Sequence, residues 1–331
     1  MKPAVRIIIP TYNRADLIKD AINGVLQQTF QNFELIVVDD GSDDNTSEVV
    51  LKFAESDSRI KYLYQQNRGV AAARNHGITL DNPPKYIAFL DSDDTWMPHH
   101  LDEAISFLDI CPELSLVFGR VDIVDNYGQY TKEGAPQKHN EKLDAILSTA
   151  KKLHIPHSYI LNTTVCRRAL VRGELSPRIS TVVVRTNMVS ESLWFDQELI
   201  VMEDIDFFVR MSNIPFGFLN KTCGTYRQIG DNLTGLRDLK SEKMLKRQLS
   251  VLAFEQKELK LTIEAEDQLI IRKGIADTAY LVAQCMSEQK EKKIVILRMY
   301  VKSLKSRFSF VTLKSLIGVF FPESLKKIRN K

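Results

Sequence analysis

Along the first 110 residues, short runs of apolar and β-branched residues alternate with stretches whose apolar positions return every three or four residues. The run VRIIIP (5–10) predicts a buried strand. In ADLIKDAINGVLQQT, which follows, Leu17, Ile18, Ala21, Ile22, Val25 and Leu26 share one face of a helix. FELIVVDDGS (33–42), IKYLYQ (60–65) and YIAFLD (86–91) predict three more strands, and TSEVVLKFAES, GVAAARNHGIT (69–79) and HHLDEAISFLDI predict the helices after them. Four alternations with short connections predict an α/β fold, a mostly parallel sheet flanked by helices on both faces.

Further on, the rhythm changes. FDQELIVMEDIDFFVRMSN predicts a loop and then a helix whose first turn carries Glu203, Asp204 and Asp206, as the helix dipole favours. No proline separates Pro215 from Pro322, and Gly274 alone interrupts residues 236–317. This stretch, rich in Leu, Lys, Glu and Ala, predicts a C-terminal helical region over 238–331 after a domain over 1–237. Within it Leu297, Val301, Leu304, Phe308 and Val311 form an apolar stripe with Arg298, Lys302 and Lys305 alongside.

Composition changes the picture in one respect. A content of 44% hydrophobic and 26% charged residues is that of a globular protein and excludes long disorder. The formal charge of +3 is unevenly spread: residues 290–331 hold twelve Lys and Arg against two acids, a net +10, which leaves −7 for the rest. An acidic body with a basic tail argues against nucleic acid as the main partner and suits an anionic membrane surface, on which a basic amphipathic helix can lie. The apolar run Val5–Ile9 is too short for a leader and meets Pro10, and no apolar run approaches the ~20 residues of a membrane span. A cytoplasmic protein, peripheral on the inner face of the cell membrane, is expected. Cys111, Cys166, Cys223 and Cys285 show no CxxC or zinc spacing and are read as buried free thiols.

The chemistry gathers at strand ends. PTYN (10–13), DDGSDD (39–44) and DSDD (91–94) all close predicted strands, and in open α/β sheets ligands bind beyond those carboxyl ends. Neither GxGxxG nor GxxxxGK[ST] occurs, which removes the dinucleotide fingerprint and the P-loop. Carboxylates crowded on one rim repel unless a divalent cation sits among them, and Mg²⁺ needs only one or two of them beside substrate phosphates. Asp93 could bind such a metal, and Asp91 either the metal or a ribose hydroxyl. Turn chemistry alone would also favour Asp and Ser here. In DDGSDDNTSE, Asn45 or Thr46 is expected to cap the next helix, whereas Asp39 and Asp40 directly after the strand need another reason. A carboxylate there can accept the N3–H of uracil. His99 and His100 follow Pro98 and are read as surface; His154 and His157 flank Pro156 in a segment that could line an acceptor pocket, although core or surface is the preferred reading.

IIIPTYNRADLIKDAINGVLQQTFQNFELIVVDDGSDDNT, NRGVAAARNHGI, YIAFLDSDDTWMP and WFDQELIVMEDIDFFVRM, in that order over residues 5 to about 230, resemble the family 2 glycosyltransferases of GT-A fold. The resemblance implies transfer of a sugar from a nucleotide diphosphate with inversion at the anomeric carbon. It implies a nucleotide-sugar half over about 1–98 and an acceptor and base half over about 99–237. It places Pro10, Tyr12 and Asp40 around a pyrimidine, expected to be uracil, with Arg74 near base or phosphates. The family's DxD falls on Asp91, Ser92 and Asp93, with Asp93 the preferred ligand for Mn²⁺ or Mg²⁺. Its Glu-Asp pair falls on Glu203 and Asp204, with Asp204 the candidate base. An inverting transfer needs a base opposite the leaving group, so metal and base should come from different segments, as these do. Tyr226 and Arg227 match a Tyr-Arg pair, but the histidine that follows in many relatives is missing, since Ile229 and Gly230 supply none. Arg227 could contact phosphate or be structural. Trp194 could stack on a sugar, or pack in the core, and Trp96 likewise.

The expected function is thus a metal-dependent inverting glycosyltransferase that moves a sugar from a UDP-sugar to a glycan or lipid-linked acceptor in cell-surface polysaccharide synthesis. Its rivals are a sugar nucleotidyltransferase, whose glycine-rich signature PTYNRAD lacks, and a non-catalytic membrane-docked subunit that binds nucleotide sugar.

Overall fold

The computed structural model describes residues 2–131, 141–190, 194–229, 241–262 and 264–320. The chain divides into two compact units, Met1–Gln197 with Glu203–Ile229, and Glu198–Met202 with Gly230–Lys331. The boundary expected near 237 lies outside the described residues, as do Gly230 and the basic end from 321 onward.

The first unit is built on one sheet. Strand and helix alternate through β1 (Val5–Thr11), α1 (Ile18–Leu26), β2 (Phe33–Asp39), α2 (Thr46–Ser56), β3 (Ile60–Tyr64), α3 (Val70–Ile78) and β4 (Tyr86–Phe89). After β5 (Thr95–Trp96) and α4 (His100–Ile110) come β6 (Leu116–Val124), α5 (Glu141–Ser148), β7 (Lys151–Lys152), β8 (Ser158–Ile160), α6 (Thr163–Val171), a 3₁₀ turn at Ile179–Thr181 and β9 (Val183–Arg185). The unit closes with α7 (Glu203–Met211) and β10 (Phe216–Arg227). The sheet order is β3-β2-β1-β4-β9-β6-β10-β8-β7, with β5 pairing on β10.

The four predicted strands form, and β3, β2, β1 and β4 run parallel. Val5, Ile7, Ile8 and Ile9 of β1 are all fully buried, because helices cover both faces of a parallel sheet. Val5, Ile7 and Ile9 join a core with Ile18, Ile22 and Val25 of α1 and Leu101, Ala104 and Phe107 of α4. Ile8 points the other way, to α3. A Cβ on Gly77 would come within 2.8 Å of the Ile8 Cγ2, so glycine is what lets α3 ride close on β1. At the opposite end from the rim acids, Arg6 is buried and donates to Glu34, to Asp81 and to the carbonyls of Gly77 and Ile78. Those carbonyls end α3, where a cation is favoured.

Beyond Ile110 the sheet turns mixed. β9 is antiparallel to both β4 and β6, whereas β6 and β10 are parallel with two register shifts. Because β9 is antiparallel to both of its neighbours, β6 and β10 run the same way as β4, so the sheet stays mostly parallel with β5, β8 and β9 reversed, and β6 to β10 carry no local pattern clear enough to announce them.

In the second unit α8 (Glu242–Leu261) packs on α9 (Ala265–Glu288), α10 (Lys293–Ser306) on α9, and α11 (Phe310–Phe320) on α10. Its helical character is as expected, but the apolar stripe is not one continuous face. The buried positions of α10 are Ile296, Tyr300 and Ser303, and Arg307 is extended, with φ −158° and ψ 126°. Leu297, Val301 and Leu304 are half-buried, while Phe308 and Val311, past the break, are exposed. No helix among the described residues is long and apolar enough to cross a membrane. All four cysteines are buried and none forms a disulfide.

Candidate active site

The register of the sheet sets the rim. Thr11 pairs with Asp39 and Asp39 with Tyr64, so the loops after β1, β2 and β3 leave from one edge, next to the loop after β4. Two of them are laced together: Asn13 N–H donates to the Ser42 hydroxyl, and Asp43 N–H to the Asn13 side chain. Gly41 makes the turn between them, at φ +84°, where a Cβ would meet the Asn67 nitrogen at 2.9 Å. The cap of α2 corrects the sequence expectation. Neither Asn45 nor Thr46 caps it; the Asp44 carboxylate accepts from Thr46 N–H and also from Ala15 N–H.

Asp39 and Asp40 diverge in role. Asp39 is fully buried and accepts from Ser42 N–H and the Tyr62 hydroxyl, so it builds the turn. Asp40 is 4% exposed. Its Oδ1 accepts from Gln65 Nε2 at 2.7 Å and Arg68 N–H at 2.8 Å, and its Oδ2 from Gly69 N–H at 2.8 Å. One lone pair of Oδ2 stays open for a further donor. Near it on the rim, Pro10 is buried in β1 and Tyr12, just after the strand, is 47% exposed.

Arg74 joins the two acidic motifs. It is buried on α3, and its Nη2 donates to Asp91 at 2.7 Å while its Nη1 donates to Glu203 at 2.7 Å. The guanidinium lies 5.2 Å from the centre of the Phe195 ring. The next residue, Asn75, grips the same segment: its amide donates to the Phe195 carbonyl at 2.8 Å and its oxygen accepts Phe195 N–H at 3.1 Å. Helix α3 thereby holds together the strand-end acid of β4 and the first turn of α7, 129 residues away from Arg74 in sequence.

Burial and charge act on these acids in opposite directions. Burial pushes the Glu203 carboxyl upward, Asp204 adds to this, and Arg74 opposes it. Asp204 is also pushed up by burial, with a further contribution from Asp91, against Arg74, its own Ile205 N–H bond and Arg178. Asp204 is part-exposed at the start of α7, while Glu203 is buried against Arg74. Asp206 pairs with Arg210 one turn on, which makes it a helix-stabilising group.

The DSDD turn contains a member that sequence reading passed over. Asp94 is 1% exposed; it accepts from the Ser180 hydroxyl and from Arg227 N–H at 3.0 Å. Burial, then Asp93, then Asp91 drive its carboxyl well above the usual range. Ser180 also accepts Asp91 N–H at 3.2 Å, and its carbonyl receives the Trp96 indole N–H. Ser92 is buried in this turn. The 3₁₀ turn at Ile179–Thr181 thus sets the backbone of the turn that carries Asp91 and Asp93.

For Trp194 and Arg227 the structure favours the structural one of the two open alternatives, and for His100 it overturns the expectation. The Trp194 ring is 9% exposed and stacks on Phe207, with centroids 5.9 Å apart and planes 9° from parallel, so packing occupies it rather than a sugar. Arg227 donates to Asp20 at 2.9 Å and to the Asn126 carbonyl at 3.0 Å, which makes it a strut between α1 and β10. His100 is fully buried, not surface: it lies against Trp96, neither ring nitrogen has a hydrogen-bond partner, and burial lowers its pKa to about 3. His154 and His157 are exposed near the β7–β8 hairpin. Asn75 stood inside a quoted motif and could have been singled out; Ser180 and Arg178 had no local signal.

Strand-end acids, a buried arginine bridge and an acidic helix start thus meet on one edge of an α/β sheet. Residues 6–172 match the family described as Glycosyl transferase family 2, and the chain belongs to that family. The UDP-Glc:alpha-D-GlcNAc-diphosphoundecaprenol beta-1,3-glucosyltransferase WfgD of Escherichia coli is 43% identical over 135 residues, 40% of this chain and 52% of that protein. The chain therefore spans about half of that relative's length. TuaG of Bacillus subtilis (strain 168), named for teichuronic acid biosynthesis, is 31% identical over 187 residues, 56% of this chain and 68% of that one. Two solved structures share the fold. S. aureus TarS 1–349 in complex with UDP-GlcNAc has a TM-score of 0.55 at 19% identity, covering 91% of this chain and 88% of that one. The mannosyltransferase PcManGT from Pyrobaculum calidifontis, with GDP-Man and Mn²⁺, has a TM-score of 0.56 at 13% identity, covering 100% and 88%.

Proposed function

We propose that the chain is a metal-dependent inverting glycosyltransferase that uses a UDP-sugar and acts on a glycan or lipid-linked acceptor in cell-surface polysaccharide synthesis. The observation that carries this reading is the Arg74 bridge, which puts Asp91 and the Glu203–Asp204 pair at one rim. Donor recognition falls to Tyr12, stacking on the base from its exposed position, with Pro10 beneath and the open lone pair of Asp40 Oδ2 for N3–H. The WfgD and TarS names, which speak of UDP-Glc and UDP-GlcNAc, support uracil as the base. The first unit, Met1–Gln197 with Glu203–Ile229, is read as the catalytic domain.

A divalent cation fits the DSDD turn on this chain's own chemistry. Asp91 and Asp93 both push the buried Asp94 carboxyl upward, a sign of crowded negative charge that a cation relieves. Among the described residues no cluster of three or more His, Cys, Asp or Glu could hold a metal alone. Mn²⁺ or Mg²⁺ needs fewer, since substrate phosphates complete the shell. Asp93, with Asp91, would hold it, and its charge would favour departure of the diphosphate.

Asp204 is the base. Burial makes its carboxylate more basic than an ordinary aspartate, and part of it faces solvent, where an acceptor hydroxyl can reach it. It takes the hydroxyl proton as that oxygen attacks the anomeric carbon from the side opposite the diphosphate. Glu203 and Arg74 hold the start of α7 in place while this happens. The deciding experiment is a screen of nucleotide sugars for release of free nucleotide. Release of UDP supports the reading, whereas pyrophosphate exchange without UDP release supports a nucleotidyltransferase instead.

A membrane surface completes the proposal. Phe308 and Val311 are 62% and 63% exposed next to Lys305 and Arg307, which suits shallow contact with anionic lipid. The protein should float with anionic vesicles at low salt, and Phe308→Ser with Val311→Ser should release it.

A further inference from the structure

Arg178 is a cation near Asp204 to which the proposed function gives no role. It sits just before the 3₁₀ turn whose Ser180 organises the DSDD turn. Its guanidinium lies 4.2 Å from the centre of the Tyr226 ring. Its charge reaches Asp204 and lowers that carboxyl, yet the two form no ion pair, and among the described residues no other carboxylate pairs with it. Arg178 is partly exposed, unlike Arg74, whose guanidinium is buried between two acids.

Stacking on an aromatic face uses the face of a guanidinium and leaves its in-plane N–H donors available. A guanidinium held over the Tyr226 ring is therefore ordered before any ligand arrives. Its natural complement is a phosphate or carboxylate, bound through two parallel hydrogen bonds. Position decides which substrate supplies it. The acceptor hydroxyl must come within about 3 Å of Asp204. A cation whose field is felt at Asp204 is within reach of other groups on the same acceptor molecule.

We propose that Arg178, held on Tyr226, is a specificity-determining residue that binds an oxyanion of the acceptor, a phosphate or a carboxylate, beside Asp204. The proposal rests on Asp204 as the base and deepens that reading. It predicts that neutral acceptors are poorer than acceptors that carry a negative charge near the reacting hydroxyl.

The test uses the full chain saturated with UDP and Mn²⁺, titrated separately with inorganic pyrophosphate and with glucuronate. Arg178→Gln should weaken binding of the preferred anion about tenfold or more, the effect of losing charge-assisted hydrogen bonds, with UDP affinity and melting temperature unchanged. Arg178→Lys should fall between the two, because it keeps charge but loses the fork. The stronger of the two probes identifies the source, phosphate or carboxylate. Equal anion binding by wild type and Arg178→Gln overturns the proposal. So does a loss of UDP affinity in Arg178→Gln, which would give Arg178 to the donor diphosphate. A wild-type protein that binds no UDP removes the underlying glycosyltransferase reading, and the proposal with it, a result distinct from either of these.

Discussion

Replacing Arg74 with methionine tests the bridge on which the site depends. The substitution keeps a long apolar side chain on α3 but leaves Glu203 buried without its counter-charge and Asp91 without its partner. Breaking a buried ion pair from one side costs about 3–5 kcal/mol. Asp91 is 31% exposed, so water screens much of its share, and the lower end applies. A loss of about 3 kcal/mol corresponds to a fall in Tm of about 6–12 °C for a domain of this size. The loss should depend on pH in a defined direction. Without Arg74, burial and the Asp204 charge both push Glu203 upward and nothing of comparable strength opposes them. An acid whose folded pKa exceeds its unfolded value, 4.5 for Glu203, destabilises as pH rises through the gap between the two. Since Glu203 is already raised to about 7 in the wild type, the deficit of Arg74→Met relative to wild type should be smallest at pH 5 to 6 and should grow as pH rises past 7. Melting curves of both proteins across that range, followed by circular dichroism, measure it. A variant that melts within 2 °C of wild type at pH 8 would refute the role given to the bridge.

Other outcomes follow from the same geometry. Asp93→Ala should nearly abolish sugar transfer and weaken UDP binding in Mn²⁺ with the fold intact, and wild-type activity that survives EDTA would remove the metal assignment. Asp204→Asn should keep UDP affinity and lower turnover by about 10²-fold or more; if it stays active while Glu203→Gln is dead, the base is the other member of the pair. His100 takes no proton in the folded protein until about pH 3, whereas the unfolded chain takes one near 6.5, so its contribution is lost as pH falls between those values. His100→Leu should therefore shift acid unfolding, followed by fluorescence, to lower pH. At neutral pH it should be no less stable than wild type, because it removes two unpartnered buried nitrogens.

What the sequence determined by itself is local and periodic. β1, β2 and β4 are legible because a strand buried on both faces is a short apolar run, β3 at the sheet edge because it is rich in aromatic and branched residues, and the helices between them because their apolar residues recur at helical spacing. The acids at the strand ends are legible for the same reason: a carboxylate directly after Val38 or Leu90 contradicts the run it closes. Tertiary structure decided everything that depends on which segment covers another. Arg74 meets Asp91 and Glu203 across 17 and 129 residues, and Asp94 meets Ser180 across 86, separations over which no spacing rule speaks. The same holds for burial of single side chains. His100 reads as the polar start of a helix, yet it is packed against Trp96, and the apolar stripe of the tail loses its register at Arg307. Periodicity states that an element has an inner face; only packing decides which residues that face contains and what they touch.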